Sequence, residues 1–190
     1  MQLENSTPSW YALTVKPRHE GATARNLCTR GMEEFAPVYR VRRQWCDRMK
    51  EVEFHLFPGY VFCRFSGGQR AAVLNTPGVT SIVAFGRTPA PIPDEEIGDI
   101  QRMVASRLPL RPWPYLPAGQ KIRIRAGCLE GLVGTLLRDK DACRVVVNVD
   151  LLRRSVAIEI DRESVCPIEP AYPAICLGSN RFAESALCRS

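Results

Sequence analysis

Hydrophobic and polar positions follow two different periods along the first hundred residues. Residues 10–15 form a β-rich run, and the segment after it puts Ala24, Leu27, Cys28 and Gly31 at helical spacing, since side chains three and four apart share one helix face. A strand leading into a helix over 19–32 is predicted, with Gly31 where a C-terminal cap belongs. Residues 35–41 read as extended and run into the basic stretch Arg40-Val41-Arg42-Arg43. Two more strands are predicted over 53–57 and 60–65, on either side of Pro58-Gly59. Gly67-Gly68 opens a short helical candidate over 70–75, which Pro77-Gly78 stops before a strand over 80–85. The clearest helix starts at Pro93, which fits a first helical position. Asp94, Glu95 and Glu96 suit its positive N-terminus, and Ile97, Ile100, Val104 and Leu108 give one apolar face.

The pattern then changes. Residues 108–119 hold Pro109, Pro112, Pro114 and Pro117, so neither a helix nor a central strand can run through them, and a domain linker is placed here. Beyond it, residues 121–125 alternate strictly, and strand-like runs over 132–137, 143–149 and 155–160 follow at regular spacing. Several short strands within so few residues suggest a small barrel, because closure removes exposed edges. From Pro167 onward the periodicity fades into a tail with Pro170, Pro173 and Gly178.

Charge and chemistry refine this outline. The 190 residues carry a net charge of +6, which favours polyanionic partners, nucleic acid first among them. The polar start and the lack of a long apolar run argue against a signal peptide or a membrane span, so a cytoplasmic protein is expected. The eight cysteines are never closely paired, and His19 and His55 are the only histidines. No metal site and no cofactor is expected, and most of the thiols read as small apolar core residues. An enzyme, for instance a thiol hydrolase, would need a nucleophile elbow, a phosphate-binding glycine loop or metal spacing, and none is present. No catalytic residue is therefore assigned.

Four segments, Trp10-Tyr11-Ala12-Leu13, Phe57-Pro58-Gly59-Tyr60-Val61-Phe62, Thr76-Pro77-Gly78-Val79 and Pro89-Ala90-Pro91-Ile92, resemble in order and spacing the N-terminal domain of the NusG family of transcription factors. Residues 122–127 followed by Gly131-Leu132-Val133-Gly134 resemble a KOW module, with Cys128 where family members commonly have Pro. The resemblance implies an α+β chain. Residues 9–108 would form an N-terminal α/β sandwich with an antiparallel sheet and helices, 109–118 a proline-rich linker, 119–168 a small all-β KOW barrel, and 169–190 a flexible tail. It further implies a non-enzymatic elongation or antitermination factor, monomeric and with no membrane partner. Such a factor binds the clamp helices of RNA polymerase, and its KOW domain docks termination factor Rho or a small-subunit ribosomal protein. Residues 40–50, 113–116 and 151–156 look closer to the specialised antiterminator-like branch (RfaH/UpxY/LoaP-like) than to the general factor. The competing reading is a KOW-containing RNA-binding or ribosome-associated protein.

By the same resemblance, Phe57, Pro58, Gly59 and Tyr60 line the apolar pocket that accepts polymerase, and Tyr11, Phe35 and Pro37 share that surface. Aromatic anchors usually carry interface energy, although a Pro-Gly turn between two core rings would read the same. Trp10 is expected in the core, at the start of a central strand. Arg40, Arg42, Arg43, Arg48 and Lys50, with Trp45 among them, suggest contact with non-template DNA or nascent RNA, and Arg18 and Arg25 would extend the strip. A solvated hairpin would carry the same charges. Gln69 and Arg70 stand where family members approach the opposite jaw and the non-template strand. Gly127, Gly131 and Gly134 are read as structural, with Gly134 at a bend or a close backbone approach.

Overall fold

The computed structural model describes residues 7–45, 48–116, 118–138, 143–160 and 164–168. Its first part runs β1 (Ser9–Val15), α1 (Glu20–Thr29), β2 (Glu33–Phe35), β3 (Val38–Trp45), β4 (Arg48–His55), β5 (Tyr60–Phe65), α2 (Arg70–Leu74), β6 (Val79–Ile82), β7 (Ala84–Phe85), β8 (Thr88–Pro89), β9 (Pro91–Ile92) and α3 (Asp94–Ala105). The second part is β10 (Leu110–Pro114), β11 (Gln120–Ile124), β12 (Val133–Arg138), β13 (Cys143–Val149), β14 (Arg154–Ile160) and β15 (Val165–Pro167).

β1 is central in an antiparallel sheet ordered β2-β5-β1-β6, with β9 also on β1. Strand alternation divides its side chains between two layers. Leu13 and Val15, with Val61, Cys63 and Phe65 of β5, pack against Ala24 and Leu27 of α1. Trp10 and Ala12, with Phe62, face the other way, toward Ile97, Ile100 and Met103 of α3. Trp10 is buried, as a central strand requires.

α1 ends where Gly31 adopts φ +73° and donates its N–H to the Cys28 carbonyl at 2.8 Å, a conformation other residues reach only at a cost. α3 departs from its predicted form at both ends. Pro93 has an extended ψ of 136° and caps the helix from outside instead of opening its first turn. The helix stops at Ala105, so Leu108 lies beyond it, more than a third exposed, and Met103 takes the buried position.

The second sheet is also antiparallel, ordered β10-β14-β13-β12-β11-β15, and forms a small β domain. Ile122, Ile124, Leu132, Val145, Val147, Val149, Val156 and Ile158 fill its core. At Gly134 an added Cβ would lie 2.4 Å from Val145 Cγ1 and 3.0 Å from the Val146 carbonyl oxygen, so β12 and β13 approach this closely only with glycine there. The segment read as a linker contributes β10, which pairs residue by residue with β14 from Leu110↔Ile158 to Pro114↔Arg154. Pro112 and Pro114 are two apart and so fall on one side of the strand. Their missing donors can then face the open edge while the ladder toward β14 stays intact.

The two parts share one apolar core. It runs from Trp10, Phe57 and Phe62 through Ile97, Ile100 and Met103 of α3 into Val145, Val156 and Ile158. Arg102 at the end of α3 donates to the Glu130 carbonyl at 3.3 Å, α3 packs on β13, and β3 packs on β10.

Candidate interaction face

Pro58 and Gly59 occupy the central positions of a tight turn. Gly59 has φ +84°, and the Tyr60 N–H donates to the Phe57 carbonyl at 3.0 Å. Two further bonds hold the turn on the sheet. Gly59 N–H donates to Glu20 Oε1 at 2.8 Å, and the Gly59 carbonyl accepts from Val15 N–H at 2.9 Å. Burial alone would raise the Glu20 carboxyl. Backbone hydrogen bonds from its own amide, Gly59 and Arg18, together with the nearby His55, outweigh that and hold it below the usual carboxylate range.

The turn presents Phe57 and Tyr60 on the α3 side of the first sheet. Phe57 is buried, edge-on to Phe62 at 5.2 Å, and Phe62 stacks on Phe35 at 6.2 Å. Tyr60 is half-buried, and the Arg154 guanidinium of the second domain lies 5.9 Å from its ring centroid. Pro58 is exposed and Pro37 buried. Tyr11 does not join this group. Its ring lies on the opposite layer, 4.5 Å from Phe65. The second domain thus covers the face that carries Tyr60.

β3 and β4 form a separate two-stranded hairpin in full register from Val38↔His55 to Trp45↔Arg48. Directly paired residues share a face, which sorts the basic residues into two groups. Arg40 faces Glu53 and Arg42 faces Glu51 on one side. Arg40 makes ion pairs at 3.0 Å to Glu53 and 3.9 Å to Glu51. Arg43 and Lys50 pair on the other side, where Arg43 lies 5.1 Å over the Phe54 ring. The basic strip is therefore matched by carboxylates along one face. The side chain of Trp45 lies outside the described residues, as do Cys46 and Asp47.

With this geometry in view, the family described as "Transcription termination factor nusG" matches residues 8–101. The "Transcription termination/antitermination protein NusG" of Lactococcus lactis is 28% identical over 156 residues, covering 79% of this chain and 83% of its own length. That of Rickettsia bellii is 24% identical over 169 residues, 83% of this chain and 88% of its own. A solved structure described as "Domain interaction in Thermotoga maritima NusG" superposes with a TM-score of 0.50 at 21% identity, covering 86% of this chain and 98% of that one. The chain belongs to the NusG family.

Its coarse function follows, since the NusG proteins it resembles act in transcription termination and antitermination. The other candidate residues of this NusG-family chain are scattered. Arg18 is exposed with φ +64°, and Arg25 lines an open groove of about 560 Å³ with Glu34, Glu53 and His55, at the root of the hairpin. Gln69 is engaged as a cap, its Oε1 accepting from Ser66 N–H at 3.0 Å, whereas Arg70 is exposed at the start of α2. Gly127 and Gly131 have φ +92° and +82° and shape the loop after β11, with the exposed Cys128 between them.

Burial explains only some of the thiols. Cys63 and Cys143 are buried, and burial, with Glu34 and Glu33 nearby, pushes the Cys63 thiol up to about 12. Cys28 and Cys128 are exposed, contrary to a core role, because Cys28 falls on the outer side of α1 and Cys128 on a loop. Cys176 and Cys188 lie outside the described residues.

Two carboxylates gain importance that the sequence did not reveal. From sequence, Glu96 reads only as a first-turn acid and Glu20 has no assigned role, yet Glu20 ties α1 to the turn and Glu96 sits beside Asp150 of the second domain. Glu96 Oε2 is buried without a hydrogen-bond partner among the described residues. Its carboxyl is raised by burial first and by the charge of Asp150 second.

Proposed function

We propose that this chain is an elongation and antitermination factor that grips the clamp helices of RNA polymerase with the α3-side face of its first sheet. The supporting observation is the turn from Phe57 to Tyr60, clamped by Glu20 and Val15 so that an aromatic anchor is held rigidly above an apolar floor. Rigid anchors lose little entropy on binding and commonly carry interface energy. Because the second domain lies over Tyr60, polymerase would have to displace it, which frees that domain to dock Rho or a ribosomal protein. Tyr11 is left out of the contact set by its place on the α1 layer. The basic face of the hairpin is the part suited to non-template DNA or nascent RNA.

Pull-down of polymerase from nuclease-treated extract tests this reading. Tyr60→Ala should weaken capture by about 2 kcal/mol or more while the fold persists, whereas Tyr11→Phe should not. Normal capture by a folded Tyr60→Ala protein would exclude this face. Strong RNA binding with no polymerase captured by the wild type would favour an RNA-binding or ribosome-associated protein instead.

A further inference from the structure

The polymerase reading makes no use of a cleft on the second domain, between β10 and the turn joining β13 to β14. It measures about 420 Å³ and is lined by Pro112, Trp113, Pro114, Tyr115, Leu152, Arg153 and Arg154. Both rings are half-buried and both arginines exposed. The cleft is also pre-organised. Tyr115 donates its hydroxyl to Asp150 Oδ1 at 2.9 Å, and the Arg153 guanidinium lies 5.0 Å from the Tyr115 ring centroid. Buried Ser155 donates to Asn148 Oδ1 at 2.7 Å, and Asn148 in turn donates to the Leu116 carbonyl at 2.8 Å, fixing the strand that carries the rings. Arg153 itself has φ +50°, a conformation unfavourable for a side chain of its size and kept only where the surroundings enforce it.

We propose that this cleft binds a single-stranded polynucleotide, one base stacking on Trp113 or Tyr115 and the adjoining phosphates meeting Arg153 and Arg154. The composition selects that ligand. A guanidinium already lies over each ring, Arg144 5.7 Å from the Trp113 centroid and Arg153 5.0 Å from that of Tyr115, so a base takes the opposite ring face. Only a base not already stacked in a duplex can do so, and the guanidinium groups match phosphate oxygens. A cleft for phosphate alone would have no need of rings. β10 also packs on β3, the strand that carries Arg43. The assignment does not depend on the polymerase reading, but the two sites share Arg154, whose guanidinium lies 5.9 Å from the Tyr60 ring centroid.

The test is fluorescence anisotropy of the full chain with labelled ten-nucleotide RNA, DNA of the same sequence, and the DNA duplex, across a salt series. Single strands should bind more tightly than duplex, and the RNA and DNA arms identify which strand the cleft prefers. Trp113→Ala should weaken single-strand binding about tenfold, the scale of one lost base stack. Trp113→Phe, which keeps a ring and guards against misfolding of the alanine variant, should restore most of it. Arg153→Ala should lower the salt slope by about one. Arg153 is chosen because Arg154 also packs on Tyr60. Three results would overturn the proposal: single-strand affinity unchanged in folded Trp113→Ala, binding abolished by Arg43→Glu alone with both cleft variants behaving as wild type, or full displacement of the oligonucleotide by polyglutamate of equal charge.

Discussion

Gly134 shows how little room a single position can leave. A methyl group there would collide with Val145 and the Val146 backbone, and the backbone cannot yield without opening the β12–β13 ladder. Gly134→Ala should therefore destabilise the chain by about 1–3 kcal/mol, read as a lower urea midpoint at unchanged slope. Thiol reactivity offers a second test at this scale. A thiolate is the reactive form, so Cys63, with its pKa pushed up to about 12 in a buried strand, should resist alkylation at neutral pH. Exposed Cys28 and Cys128 should be modified readily in the native protein and Cys63 only after unfolding, which peptide mass spectrometry distinguishes.

The hairpin makes a different point, because pairing decides which of its charges matter. Arg40 is already matched by Glu51 and Glu53, whereas Arg43 shares its face with Lys50 and an aromatic ring. Arg43→Glu should lower affinity for nucleic acid several-fold at low salt and Arg40→Glu much less, with the difference shrinking as salt screens both. Equal effects in a salt-dependent binding assay would mean the hairpin acts as bulk charge. The periods of the sequence revealed α1, α3 and the main strands of both sheets, because each buries one face against a core. They did not reveal the hairpin's sorting of charges, since register is fixed by the partner strand and not by the order of residues within one strand. β10 was hidden for a related reason. Its prolines exclude a central strand, and only tertiary pairing with β14 shows that an edge strand accepts them. At the candidate site, Phe57, Tyr60 and Phe35 could be grouped by resemblance, but the placement of Tyr11 on the far layer depends on strand parity within the folded sheet.

For the whole molecule, the packing of the second domain over the first contains a titratable element. Glu96 is raised by burial and by Asp150, so the packed state binds a proton more readily than the free chain does. That contribution to packing is greatest at low pH and falls as pH rises through the raised pKa. Glu20 works in the opposite sense, its contribution being lost as pH falls, so the comparison must be made against a variant. Glu96→Gln should flatten the part of the pH dependence due to this contact and tighten domain packing at neutral pH. Melting temperatures of both proteins between acid and neutral pH provide the check, and parallel curves would rule the contact out as a pH-dependent element.

The pairing of β10 with β14 also sets how far the second domain can travel once released. With β10 in place, only residues 106–109 connect α3 to the second sheet, a leash of about 14 Å at full stretch. If β10 peels away, the leash grows to residues 106–119, about 48 Å. A partner within the shorter radius meets the domain at high effective concentration, because a short tether confines it to a small volume. A partner farther away is reached only after β14 gives up its neighbour, so the same few backbone hydrogen bonds that complete the sheet ration its reach.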